Sequence, residues 1–172
     1  GRPSALKIIG KGPAPKGKIQ IASNGDITGK FEFDLSTLKT GIGMRDRHMK
    51  NKYLEVKKFP KAYLIIKKLQ VPVQFFKKNI SVKKLPFLAT LKVHGVSREV
   101  KGKTDVVRND RKLDIQSQID IRIKDFGIAE PGFAGITMAD KVELHIRLKG
   151  TLEKAKNKTI AVICFTFIYN SI

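Results

Sequence analysis

Three histidines, one cysteine and one dense run of mixed charge are the residues of this chain best equipped to catalyse or to bind. A histidine metal site needs ligands at a short regular spacing, such as i and i+4 on one helix face. His48, His94 and His145 offer no such pair. His145 lies on the polar face of an alternating segment and is expected in solvent. His94 ends another such segment, where turn packing is the simpler expectation than catalysis. His48 stands in Met44-Arg45-Asp46-Arg47-His48-Met49-Lys50. It either pairs with its charged neighbours on a helix surface or offers a polar contact at the mouth of a cavity. The sequence carries no serine nucleophile elbow, no glycine-rich phosphate loop ahead of a helix and no recognisable carboxylate pair. Cys164 sits inside the apolar run Ile160–Ile168 and reads as a small buried hydrophobe. The expectation is a protein that is not an enzyme, with no catalytic residue, metal ligand or covalent cofactor.

The elements that must position these residues are almost all strands. Leu113, Ile115, Ser117, Ile119, Ile121 and Ile123 alternate with polar neighbours, as do Val142, Leu144, Ile146 and Leu148. Phe87, Ala89, Leu91 and Val93 repeat the pattern, and so do Ile27, Gly29, Phe31, Phe33 and Leu35. Further strands are expected at Leu6–Ile9, Lys18–Ala22, Ala62–Lys67, Ser97–Val107 and Val71–Phe75. Ser23-Asn24-Gly25-Asp26 and the stretch Val107–Arg111 carry hairpin-turn chemistry, and His94-Gly95 falls between two strand patterns. About eight long strands, apolar on one face and polar on the other, predict an all-β fold: an extended antiparallel eight-stranded barrel. One short helix is expected near residues 44–56, with Asp46 towards its start and Lys57-Lys58 near its end, as the helix dipole prefers. A second turn is expected at Ile136–Asp140.

The chain has 172 residues, enough for one domain with a sizeable core, and a net charge of +20. One cysteine precludes an internal disulfide framework, and no apolar run is long enough for a helical membrane span. Such a charge attracts polyanions, so a basic protein that binds nucleic acid or an anionic membrane surface is the alternative function. The lysines, however, are scattered as pairs such as Lys67-Lys68, Lys77-Lys78 and Lys83-Lys84. That is the pattern of a solvated outer wall. Tyr53, Tyr63 and Tyr169 are far apart in sequence, unlike a base-stacking platform, which makes nucleic acid the less favoured partner.

A barrel of eight strands is filled by its own side chains or holds one small ligand. Large residues (Phe31, Phe33, Phe87, Ile119, Ile121) mixed with small ones (Gly29, Ala89, Ser117) predict room for an elongated apolar guest. Such a guest gains about 0.8 kcal/mol per buried CH₂. Arg45, Arg47 and His48 at the mouth would then hold its polar head.

Several blocks of this sequence resemble the YceI-like family. They are Phe31-Glu32-Phe33-Asp34-Leu35-Ser36-Thr37-Leu38, Thr40-Gly41, Arg45-Asp46-Arg47-His48-Met49, Tyr53-Leu54-Glu55-Val56 and Phe59-Pro60. After them come Leu91-Lys92-Val93-His94-Gly95-Val96-Ser97-Arg98-Glu99-Val100, Phe126-Gly127-Ile128 and the run from Ala139 to Leu144. The resemblance implies a lipocalin-like barrel and a periplasmic or secreted bacterial carrier. It implies an apolar tunnel for a polyisoprenoid, an isoprenoid quinone or a related amphiphile, the one non-covalent ligand expected. Carried over by position, Arg45, Asp46 and His48 are the polar element beside that tunnel. Phe31, Phe33 and Leu35, then Tyr63 and Ile65, then Phe87, Ala89, Leu91 and Val93, and finally Ile119, Ile121, Leu144 and Ile146, are its expected walls. The family pattern ends near Gly150, so residues 1–150 are read as the lipid-binding barrel. Residues 151–172 are read as an extension: an added strand, a contact in a homodimer, or a segment folded back into the tunnel. The Gly10–Pro15 stretch is shorter and richer in Gly and Pro than the family's usual opening.

Overall fold

A strand that is apolar on one face needs something to cover that face, and a closed sheet supplies it from its own far wall. The computed structural model describes residues 9–13, 15–77, 79–133, 136–137, 140–154 and 160–171. Its elements in chain order are β1 (Ile9–Pro13), β2 (Lys16–Ile21), β3 (Ile27–Asp34), α1 (Gly43–His48), β4 (Lys61–Lys68) and β5 (Asn79–Val93). They continue with β6 (Val96–Asn109), β7 (Lys112–Arg122), β8 (Gly132–Phe133), β9 (Ile136–Thr137), β10 (Lys141–Lys154) and β11 (Ile160–Ser171). All but β8 and β9 form one antiparallel sheet in the order β1-β11-β10-β7-β6-β5-β4-β3-β2. The sheet closes because β11, paired with β10 on one side, meets two strands on the other. Ile160–Ile163 pair with β2, and the stretch from Phe167 to Ser171 pairs with β1. Broken between Pro13 and Lys16, β1 and β2 together act as one wall strand, which makes an eight-walled all-β barrel. Residues beyond 150 complete it: the end of β10, then β11, whose Cys164 stands opposite Gly150. The Cys164 side chain lies outside the described set.

Sequence alternation becomes alternation of burial. Ala62, Leu64 and Ile66 of β4, Phe87, Ala89, Leu91 and Val93 of β5, and Leu113, Ile115 and Ile119 of β7 are buried in a single apolar cluster. The lysines lie on the opposite face, where Lys18 and Lys30 stand directly across from each other, both exposed. In β5 the alternation changes phase at Lys83-Lys84, where the register with β6 shifts and Lys84 has a φ of 57°. The bulge is pinned by Lys84 N–H donating to Asp105 Oδ1 at 2.8 Å.

Antiparallel connectivity sorts the connections between two rims. The helix rim carries residues 35–60, the His94-Gly95 turn and residues 123–133; the opposite rim carries residues 22–26, 69–77 and 110–111. Val71–Phe75, expected as a strand, is instead the approach to a 3₁₀ turn at Val73–Phe76. Pro72 has no N–H for a ladder and a fixed φ, so the chain turns there and drives Phe75 into full burial. The expected turn at Ile136–Asp140 begins as β9, paired with β8. Residues 138–139 lie outside the described set, as does the expected opening strand before Ile9. The expected helix is shorter and mixed: α1 runs on into a π-helical turn at Met49–Tyr53.

Small inward residues do not leave empty space, contrary to the sequence expectation. Phe87 stands opposite Gly102 and leans over it, so that a Cβ on Gly102 would lie 2.5 Å from Phe87 Cε1. Ile19 covers Gly29 in the same way, with its Cγ2 2.6 Å from the Cβ position. Ala89 is wholly covered, and the Ser117 hydroxyl donates to Thr104 Oγ1 at 2.8 Å. Large side chains on one strand thus use the glycines of the next as seats. Replacing Gly102 by Val is therefore expected to lower unfolding free energy by about 1–3 kcal/mol in urea titration, through displacement of the Phe87 ring.

Candidate functional site

The excursion between β3 and β4 begins where Asp34 stops the strand. Its Oδ1 accepts from Ser36 N at 3.0 Å and from Ser36 Oγ at 2.6 Å, which turns the chain into a 3₁₀ turn over Leu35–Thr37. Leu35 N–H donates to Pro60 O at 2.9 Å and ties the two ends of the excursion together. At its tip, Asp46 Oδ1 accepts from Thr40 N at 2.6 Å and from Thr40 Oγ1 at 2.5 Å. Arg45 Nε donates to the same Thr40 Oγ1 at 2.9 Å, and Arg45 Nη2 donates to Thr40 O at 3.0 Å. The Thr40 hydroxyl donating to Asp46 holds its carboxyl below the ordinary aspartate range, with help from the Thr40 amide and from the charges of Lys50 and Arg45. Three side chains thus staple the loop from Thr40 to Asp46. Gly41 (φ 87°) occupies a left-handed position within it, where other residues are strained.

The return of the excursion is apolar. Met49, Tyr53, Leu54 and Val56 are half-buried and pack against the barrel's core, while Tyr53 Oη accepts from Gly132 N at 3.3 Å. The chain is then knotted to the β5–β6 hairpin. His94 (φ 53°) and Gly95 (φ 73°) form a two-residue turn of the type that left-handed residues make. A Cβ on Gly95 would lie 2.8 Å from the Phe59 ring, and the Phe59 ring itself lies 4.7 Å from that of His94, tilted by 58°. His94 Nδ1 lies 3.2 Å from Phe126 O, and Nε2 lies 2.5 Å from Glu55 Oε2. A carbonyl only accepts, so Nδ1 carries its hydrogen. That leaves Nε2 facing the Glu55 carboxylate. One imidazole thereby joins the end of the helical excursion, the β5–β6 turn and the 3₁₀ turn Ile123–Phe126.

The expected wall residues divide into three groups. Phe31, Leu35, Phe87, Ala89, Leu91, Val93, Ile119 and Ile146 are inward and buried. Phe33, Ile121 and Leu144 share that inward face but remain partly uncovered, and they lie towards the helix rim. Tyr63 and Ile65 do not face inward, a correction to the sequence reading. Phe31 pairs with Leu64, and Leu64 with Leu91, so strand parity turns Tyr63 and Ile65 outward, where Lys30 lies 5.0 Å from the Tyr63 ring centroid. Ala62, Leu64 and Ile66 take the inward places. Arg45 and Asp46 hold the tip loop, whereas His48 is exposed. His145 is half-exposed and lies 2.7 Å from Glu143 Oε1. A depression of about 230 Å³ lined by Gln116, Ser117, His145, Ile146 and Arg147 lies between β7 and β10, away from the rim. Sequence reasoning left Thr40, Glu55, Phe59 and Phe126 without roles, although all four stand in the blocks quoted above for the family resemblance.

These features define a closed antiparallel barrel with a stapled helical cover over one rim. A family description, the YceI-like domain, matches residues 5–150, and the chain belongs to that family. Similar solved structures include the YceI protein of Campylobacter jejuni, which crystallizes with large solvent channels (TM-score 0.65, 19% identity, 85% of each chain covered). BcnA of Burkholderia cenocepacia is also similar (TM-score 0.59, 12% identity, 94% of this chain and 95% of that one). So is a polyisoprenoid binding domain from Saccharophagus degradans implicated in plant cell wall breakdown (TM-score 0.52, 14% identity, 98% and 95%). At these identities the likeness concerns the fold. No curated protein matches the chain.

Two outcomes follow from the staple and the knot. An aspartate held low in the folded protein stabilises it fully above its unfolded value, about 3.9, and loses that contribution as pH falls through the lower folded value. Proteolytic nicking between residues 40 and 47 is therefore expected to rise only in that acid range, and Asp46→Asn is expected to show the same nicking at neutral pH. His94→Ala, which removes the imidazole's contacts with the Phe126 carbonyl, the Glu55 carboxylate and the Phe59 ring, is expected to cost about 1–3 kcal/mol in urea unfolding.

Proposed function

We propose that the barrel binds a long apolar chain of the isoprenoid class, a quinone or polyprenyl lipid, as a periplasmic or secreted carrier, without chemistry of its own. The observation that carries this reading is the incomplete cover over Phe33, Ile121 and Leu144. These inward apolar side chains are half-buried and lie towards the rim that carries Met49, Tyr53, Leu54 and Val56, which are half-buried as well. Deeper in the barrel Ala89 and Val106 are fully packed; at the opposite rim Ile21 and Phe75 are too, while Leu69, Phe76 and Ile80 are half-buried against the core. An apolar tail would therefore enter at the helix rim and lodge against these three residues. It would make its room by displacing the half-buried Met49, Tyr53, Leu54 and Val56 rather than by filling a preformed channel. Family membership and the polyisoprenoid-binding structural neighbour support the ligand class.

Protein purified from cells and extracted with organic solvent is expected to release a prenyl lipid seen by mass spectrometry. Affinity in refilling experiments is expected to rise about fourfold per added CH₂, the equivalent of about 0.8 kcal/mol, until the slot is full. Ile121→Arg, which places a charge among the half-covered residues, is expected to abolish uptake while the protein stays folded by circular dichroism. Empty protein that also refuses a quinone and a prenyl phosphate would overturn the carrier reading.

A further inference from the structure

We infer that the tip of the helical excursion, residues 39–47, is a docking element for an anionic lipid bilayer. Among the described residues four large hydrophobics are exposed, and two of them, Ile42 (54%) and Met44 (64%), stand two positions apart on this tip. The tip projects from the protein: a Cβ built on Gly41 or Gly43 meets nothing within 4 Å. It is also held in shape, because Asp46, Thr40 and Arg45 close the loop from which Ile42 and Met44 point. A floppy loop would fold its apolar residues back on the barrel; this one presents them.

The charge around the tip chooses the partner. Residues 39–58 contain seven basic side chains and two acidic ones. Both acids are engaged within the protein, Asp46 by Thr40 and Glu55 by His94. Among the described residues no ion pair involves Lys39 or Arg47, and both are exposed. An apolar pair flanked by the exposed cations Lys39 and Arg47 suits the headgroup boundary of an anionic membrane. There the side chains enter the acyl region and the cations meet phosphates. Nucleic acid would use the cations but gain little from Ile42 and Met44. The tip belongs to the rim where Phe33, Ile121 and Leu144 lie half-buried, so docking would bring that rim to the bilayer. The inference stands on the tip itself and does not require that the barrel carry lipid.

The test uses the full chain with vesicles of phosphatidylglycerol and phosphatidylcholine in equal parts, and with vesicles of phosphatidylcholine alone. A chain of charge +20 adheres to anionic vesicles at low salt through any of its faces, so sedimentation is read at about 0.15 M salt, where the Debye length is about 8 Å, and each variant is compared with the native chain. The native chain is expected to retain binding to the anionic vesicles there. The double variant Ile42→Ser, Met44→Ser is expected to bind about tenfold more weakly or worse, with its melting temperature unchanged. Val73→Ser, an exposed apolar residue at the opposite rim, is expected to bind like the native chain. The sequence has no tryptophan, so Met44→Trp gives an independent reading. Its emission is expected to shift to the blue and to resist iodide quenching on vesicle addition, while Val73→Trp stays water-exposed. The inference is overturned if the double variant binds like the native chain, or if Met44→Trp stays in water. It is equally overturned if the native chain binds vesicles of phosphatidylcholine alone as tightly as the anionic ones, or if single-stranded DNA binds more tightly through the same tip. Lipid extraction can come out empty while vesicle binding succeeds, so the two readings fail separately.

Discussion

One imidazole sets the architecture of the functional rim. His94 projects from a two-residue turn that only left-handed backbone can make, and both of its ring nitrogens are committed to acceptors in other segments. Phe126 O lies 32 residues away and Glu55 lies 39 residues away, so the contact fixes the relative positions of three connections that share no ladder. Without it the excursion between β3 and β4 would be anchored mainly by its ends at Leu35 and Pro60 and by apolar contacts of its underside. The neighbouring glycine is required twice over, for its positive φ and because the Phe59 ring fills the space of a side chain.

That arrangement divides the excursion into two surfaces of opposite character. Its underside lays Met49, Tyr53, Leu54 and Val56 on the core, while its tip holds Ile42 and Met44 away from it. The carboxylates Asp46 and Glu55 are spent on internal ties, which leaves the basic residues to dominate the field outside. The same separation runs around the barrel: lysines occupy the outer wall, even directly opposite each other at Lys18 and Lys30, while the interior is apolar apart from residues such as Thr104 and Ser117. Like charges facing across strands cost stability. The wall tolerates them because water screens what the packed interior holds together.

The family match ends at residue 150, yet the circuit of hydrogen bonds is completed only by β11. Without that strand β10 and β2 would both be bare edges. The apolar run at the end of the chain therefore has a backbone role in closing the wall.

The period-two pattern determined a good deal without any structure: the all-β class, most strands within a few residues, and the inward places of Phe31, Phe87, Leu91 and Ile119. Burial on one face of a pleated strand is a local property that a chain writes directly into its own order. Parity at Tyr63 and Ile65 was misjudged, because Ala62 is small and the outer face of β4 carries Tyr63 and Ile65, as apolar as the inner one. Only the register with Phe31 and Leu91 decides between them. The occupation of the space beside Gly29 was hidden for the same reason, since the side chain that fills it belongs to another strand. Roles for Thr40, Glu55, Phe59 and Phe126 were likewise out of reach. Hydrogen bonds between rim segments depend on where three connections meet once the barrel has closed, and no spacing along the chain encodes that meeting.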